Sequence, residues 1–88
     1  MNITFDAAKD AAHRVKHGVS LADAAAIEWD TVWCWLDQRR EYAEARQIGI
    51  GYIGLRLHCV VFTDRGEERR IISLRKANAR EVSRYAKA

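Results

Sequence analysis

An 88-residue chain with 49% hydrophobic residues, no proline and a formal net charge of +3 is sized for one small domain around one core, with little stability to spare unless a partner contributes. No apolar run reaches the roughly 20 residues of a membrane helix, and MNITFDAAKD has neither the basic start nor the apolar stretch of a secretory signal, so the expectation is a cytoplasmic protein with no membrane role. Charge is unevenly spread: residues 1–68 carry 8 basic and 11 acidic groups and residues 69–88 carry 7 and 1, a separation suited to a polyanion on one side and a protein partner on the other.

A short ITF strand opens the chain. Residues 7–16 then place Ala8, Ala11, Ala12 and Val15 on one helical face and Lys9, His13 and Lys16 on another, and Gly18 fits a helix C-terminus. Ser20 and Asp23 have the spacing of a capping signal and open a second short helix through Ala24, Ala25 and Ile27. TVWCWL, residues 31–36, is aromatic and β-branched, as strands are, whereas residues 37–43 are polar enough for a loop. Three strand-like runs follow, EARQIGIGYI, LRLHCVVFTD and EERRIISLR, with Gly54 and Gly66 at the junctions of two hairpins. Asn78 to Ala86 reads as a closing helix. The order β-α-α-β-β-β-β-α predicts a single α+β domain over residues 1–88 with a mainly antiparallel sheet.

Two-residue loops at Ile53-Gly54 and Arg65-Gly66 would put Ile48, Ile50, Tyr52, Leu55, Leu57, Cys59, Val61, Ile72 and Leu74 on one face, with Arg46 and Arg70 toward one end. That face is expected to lie under the two N-terminal helices. The opposite face would gather Arg56, His58, Ser73 and Arg75 at one end, with Val60, Phe62 and Ile71 nearer the other. Arg56 would then oppose Arg75, and His58 would oppose Ser73. Like charges facing across a sheet are unfavourable unless an anion lies between them, so this register predicts an anion site. A one-residue slip moves every side chain to the other face, and a three-residue second loop would undo the segregation.

Cys34 and Cys59 each sit inside an apolar stretch, where a reduced Cys acts as a small hydrophobe. His13 and His17 have the spacing of a zinc-protease helix, but Arg14 stands where that mechanism needs Glu. No metal and no cofactor are expected.

Fragments at compatible spacing resemble the BrnT family, toxins of bacterial type II toxin–antitoxin pairs within a wider RelE-like group of ribonucleases. They are Phe5-Asp6 with Lys9; Lys16-His17-Gly18-Val19-Ser20 with Ala24; Arg46 with Ile48-Gly49; Val60-Val61-Phe62-Thr63 with Arg65-Gly66; and Arg70-Ile71-Ile72-Ser73-Leu74-Arg75-Lys76-Ala77 with Glu81 and Tyr85. The chain departs from the family pattern by lacking a Trp after Phe5, by His13 in place of Asn, by Leu74 in place of a small residue, and by Asn78 in place of Thr. Residues 28–43, with Trp29, Trp33 and Trp35, match no part of it. The resemblance implies a RelE-like fold, a twisted sheet with two N-terminal helices on one face and a C-terminal helix. It also implies RNA cleavage that stops translation and growth, and neutralisation by a BrnA-like ribbon-helix-helix antitoxin in a hetero-oligomer that alone contacts operator DNA.

Cleavage of RNA without a metal uses the substrate's own 2′-hydroxyl, so the protein must supply a base, an acid and cations for the phosphate. Arg75 is the expected phosphate ligand, because its fork meets two oxygens at once; the alternative is a surface ion pair. Lys16 and His17 are catalytic candidates, or else they stabilise the helix end they occupy. Glu81 either handles protons or completes an N-cap with Asn78, and Tyr85 either meets a base or packs its helix on the sheet. Arg56, His58, Lys76, Arg80 and Arg84 are expected to hold RNA, although a strand His is commonly just packed. Arg46 and Arg70 are assigned to a core ion pair or to the antitoxin interface, and the Trp cluster to core or interface. Beside the ribonuclease reading stand a non-catalytic nucleic-acid-binding or regulatory subunit on the same scaffold and a structural subunit that folds only with a partner.

Overall fold

Gly54 and Gly66 have positive φ values of 59° and 58°, and each opens a two-residue loop, because Ile53 pairs with Arg56 and Arg65 with Glu68. A glycine of positive φ followed by a residue of negative φ suits the right-handed twist of a hairpin. The loops are therefore Gly54-Leu55 and Gly66-Glu67, one residue later than the sequence reading had them. These turns organise the computed structural model, which describes Met1–Ala88. Its elements are β1 (Asn2–Thr4), α1 (Ala7–His17), 3-10 helices at Leu21–Ala26 and Trp29–Thr31, β2 (Trp33–Leu36), β3 (Gln47–Ile53), β4 (Arg56–Arg65), β5 (Glu68–Lys76) and α2 (Ala79–Lys87).

The five strands form one sheet in the order β1-β5-β4-β3-β2. All pairings are antiparallel except that of β1 with β5. The expected α+β class and antiparallel sheet are present. The second expected helix is a 3-10 helix, and TVWCWL is strand only from Trp33.

Register decides the site, and one irregularity changes it. Phe62 pairs with Ile71, but Val61 pairs with Ser73, so Ile72 is an extra residue on β5. Such a bulge inverts the in/out alternation beyond it. Ser73 and Arg75 therefore share a face with Val61 and Cys59, while Leu74 joins Val60. The expected pairings of Arg56 with Arg75 and His58 with Ser73 do not form: Arg56 opposes Ile53, and His58 opposes Lys76. No anion site between those arginines exists.

The face assignment is corrected too. Val60, Phe62 and Ile71, expected on the face opposite the N-terminal helices, are the buried core under the N-terminal segments, where they pack with Leu21, Ala24 and Ile27. Leu74, expected under those helices, joins them there, but without Ile48, Ile50 and Cys59. Residues 27–32 lie directly on the β3 backbone: a Cβ at Gly51 would stand 2.7 Å from a Val32 methyl and 3.2 Å from one of Ile27. Helix α1 starts where Asp6 accepts from the Ala8 and Lys9 N–H groups and stops at Gly18, φ 74°. It is tied down by Asp10, which accepts from Ser20 Oγ and the Leu21 N–H. Because β1 pairs only with Glu68, Arg69 and Arg70, the Leu74 N–H on the edge beyond it donates to His13 Nε2 at 3.0 Å. The other face carries a smaller cluster of Ile50, Leu57 and Ala77, flanked by Trp33, Trp35, Tyr52 and Tyr85.

Candidate active site

Helix α2 covers only part of the Ile50 face, and the uncovered part is a cavity of about 250 Å³. Ile48, Cys59 and Val61 line it from the central strands, Ile72 and Ser73 from the bulge, and Trp35 from β2. The charged side chains that reach it are Arg39, Arg46, Arg75 and Glu81, three guanidinium groups and one carboxylate. Without the bulge, Arg75 would sit on the buried face with His58.

Arg75 and Glu81 meet end-on, Nη1 donating to Oε1 at 2.7 Å and Nη2 to Oε2 at 2.8 Å. Nη1 also donates to the Lys76 carbonyl at 3.3 Å. A guanidinium has five N–H donors, so Nε–H and the second Nη2–H of Arg75 have no protein acceptor, and these two form the side-on fork that fits a phosphate. Glu81 is placed by local sequence: Asn78 caps α2, accepts from the Glu81 N–H, and donates its own N–H to Glu81 Oε1. Burial opposes charge on Glu81, but the Arg75 fork and the Asn78 N–H outweigh it and hold the carboxyl below its usual range. The pair is partly buried, with side-chain exposures of 36% for Arg75 and 14% for Glu81, so its attraction is screened less than at an open surface. Beneath it, burial and then the Glu81 charge push the Cys59 thiol up to about 11, which leaves it neutral and poorly nucleophilic at neutral pH.

Arg39 and Arg46 enter from the segment between β2 and β3. Asp37, 4% exposed, accepts a fork from Arg39 Nε and Nη2 at 2.9 and 2.8 Å and a bond from Tyr42 at 3.0 Å. Those bonds, Arg39's first, hold Asp37 well below the usual carboxylate range. Its N–H donates to the Arg46 carbonyl, and the Arg46 guanidinium lies 4.3 Å from the centre of the Tyr42 ring. Arg46 has no carboxylate partner, so its charge is available to the cavity.

Residues 5–81 match the family described as the ribonuclease toxin, BrnT, of type II toxin–antitoxin systems. The chain belongs to the BrnT family. No curated protein gives a significant match to it. BrnT membership makes RNA the substrate class and a protein antitoxin the partner. No helix of this BrnT protein is long and apolar enough to cross a membrane.

The BrnT structure brings together some of the expected site residues and separates others. Arg75 and Glu81 share the cavity, and Arg46 joins them there. Lys16 and His17 end α1 and do not line it. His17 instead lies edge-on to His13, with ring centroids 4.6 Å apart. Burial, then the charges of His13, Lys16 and Arg75, hold its imidazole below its usual value. Tyr85 packs against Tyr52 and donates its hydroxyl to the Thr31 carbonyl at 3.1 Å. His58 is 6% exposed, with Nδ1 3.0 Å from the Arg56 carbonyl. Arg56 and Lys76 are exposed at strand ends, and Arg80 and Arg84 on α2. Arg70 is half-buried opposite Thr63 and Thr4 and forms no ion pair.

Arg39 and Cys59 were missed as cavity residues. For Arg39 the only signal in the sequence is an acid two residues earlier, an ordinary loop feature until Asp37 is known to be buried. Of the tryptophans, Trp29 is core: its indole donates to the Ala24 carbonyl and its ring stands edge-on to Phe62.

Proposed function

We propose that this chain is an endoribonuclease that cleaves a single RNA strand without a metal, using the substrate's 2′-hydroxyl, and that Arg75 holds the scissile phosphate. The observation that carries this reading is the side-on fork of Arg75, free of protein acceptors, in a cavity shared with Arg39 and Arg46. The 2′-oxygen attacks phosphorus, the bond to the 5′-oxygen breaks, and the products are a 2′,3′-cyclic phosphate and a 5′-hydroxyl. The guanidinium groups meet the extra negative charge on the phosphoryl oxygens. Glu81 takes the 2′-hydroxyl proton, and the departing 5′-oxygen takes a proton from solvent water to become the 5′-hydroxyl. An arriving phosphate competes with Glu81 for Arg75, and the carboxylate that loses its cation becomes the stronger base.

On the same reading the scaffold is RelE-like, cleavage inhibits translation and arrests growth in the cytoplasm, and a BrnA-like ribbon-helix-helix antitoxin neutralises it in a hetero-oligomer. Lys76 and Arg80 draw in RNA from outside the cavity. Lys16 adds to that field from the end of α1.

The test is cleavage of a defined RNA in a chelator, alongside growth on induction. Glu81→Gln is expected to slow cleavage by about 10²- to 10⁴-fold. Arg75→Lys keeps the charge but lacks the fork and is expected to lose about 10²- to 10³-fold, as for loss of one oxyanion donor. RNA that is bound but left intact by the wild-type chain would instead establish a non-catalytic RNA-binding subunit.

A further inference from the structure

Beside the cavity stand two aromatic rings and a cation whose polar groups the protein leaves unused. Trp33 and Trp35 pair with Ile50 and Ile48 and so share the cavity face. Their ring centroids are 5.0 Å apart, with planes inclined at 47°. The Arg84 guanidinium lies 4.5 Å from the Trp35 centroid and 5.2 Å from that of Trp33, and it has no carboxylate partner. Whereas the Trp29 indole donates into the core, neither the Trp33 nor the Trp35 indole has an acceptor. Neither N–H is a buried orphan, so both reach solvent. Both rings are only half-buried, on the edge strand of the sheet.

An anion alone would need the arginines but not the indoles, and an apolar partner would need the indoles but not Arg84. One nucleotide needs both, since it carries a phosphate and a flat ring a few ångströms apart. Aromatic and guanidinium planes are the usual stacking partners of unpaired bases. Trp35 touches both regions, since it lines the Arg75 cavity and lies under Arg84.

We propose that Trp33, Trp35 and Arg84 form a nucleobase subsite, in which a base adjoining the phosphate at Arg75 takes the place of the Arg84 guanidinium on the indoles and Arg84 moves outward to cover the base's other face. The inference rests on the reading of the Arg75 cavity as the phosphate site. Because every base offers a π face, the subsite supplies affinity and registers the strand over the cavity, with at most a mild preference among bases.

The probe is a short, non-cleavable 2′-O-methyl oligoribonucleotide, compared with a strand of the same length carrying abasic sugars. The readout is the ratio of their affinities for the full chain. The wild-type ratio is expected at about 5 to 150, the range for one stacked base, and to fall toward one in Trp35→Leu, in Trp33→Leu and in Arg84→Ala. Arg84 is exposed, so Arg84→Ala leaves the core intact and keeps the test valid even where a tryptophan variant unfolds. A ratio that all three variants leave at the wild-type value overturns the subsite while cleavage at Arg75 stands. If those variants instead disrupt only self-association or antitoxin binding, the surface is a protein interface and the proposal fails. A wild-type chain that neither binds these strands nor cleaves RNA removes both the subsite and the proposed function.

Discussion

Arg75 makes three of its possible hydrogen bonds inside the protein, two of them to Glu81. At the scale of single residues this pair joins folding to the proposed chemistry, since Glu81 also completes the capping box of α2 with Asn78. Its carboxyl is held below its ordinary value of 4.5, so the unfolded chain binds this proton more readily than the folded one. The stability it contributes is therefore fully present above pH 4.5 and is lost as pH falls through the lower folded value. Urea midpoints measured across acid pH should fall more steeply for wild type than for Glu81→Gln, which has nothing to titrate there. Parallel curves would mean that the pair adds no pH-dependent stability. The identity of Arg75 as a basic residue at a strand end was legible in the sequence; its neighbours were not.

At the scale of elements, the bulge at Ile72 and the open edge of β5 do most to build the site. The bulge turns Arg75 from the His58 face to the Cys59 face while keeping both Ile71 and Leu74 in the core. Two buried residues three apart cannot share a face of a regular strand, whose period is two. That spacing was present in RIISLR, but it becomes a signal only once both residues are known to be buried under the same segments. The edge depends on His13, whose Nε2 accepts the Leu74 N–H. His13→Ala would leave that partly buried donor unpaired and is expected to destabilise the chain by about 1 to 3 kcal/mol. His13→Asn, which still presents an acceptor, should recover much of the loss. Denaturant unfolding of the two variants checks this, and equal destabilisation by Asn and Ala would remove the hydrogen bond as the cause.

Over the whole molecule, charge is divided between an acidic first part and a basic end carried by β5 and α2. A single strand bound by such a surface releases counterions, and log affinity falls with log salt by about 0.7 per phosphate contacted. Arg80→Ala should weaken all RNA sequences alike and reduce that slope by about 0.7. Affinity titrations at several salt concentrations measure it, and a changed sequence preference at constant slope would contradict a field role for Arg80. On the proposed reading, this division lets 88 residues serve two kinds of partner, with RNA drawn to the basic end and the acidic remainder left for other contacts.

The sequence by itself determined whatever is local: two hairpins from two glycines, the caps at Ser20 and Asn78, the helix stop at Gly18, the class of the fold, and the family-bearing segments around Gly18 and Arg75. It also assigned Ile48, Ile50, Cys59 and Val61 to a common face, because a shift of the β3–β4 register by two residues preserves sidedness. Tertiary structure alone decided which face is covered by which helix, that Arg46 and Arg39 line the same cavity as Arg75, and that His58 is buried. The reason is that a bulge and a buried loop carboxylate are selected by packing against residues distant in the chain. Their local signatures are those of an ordinary strand and an ordinary polar loop.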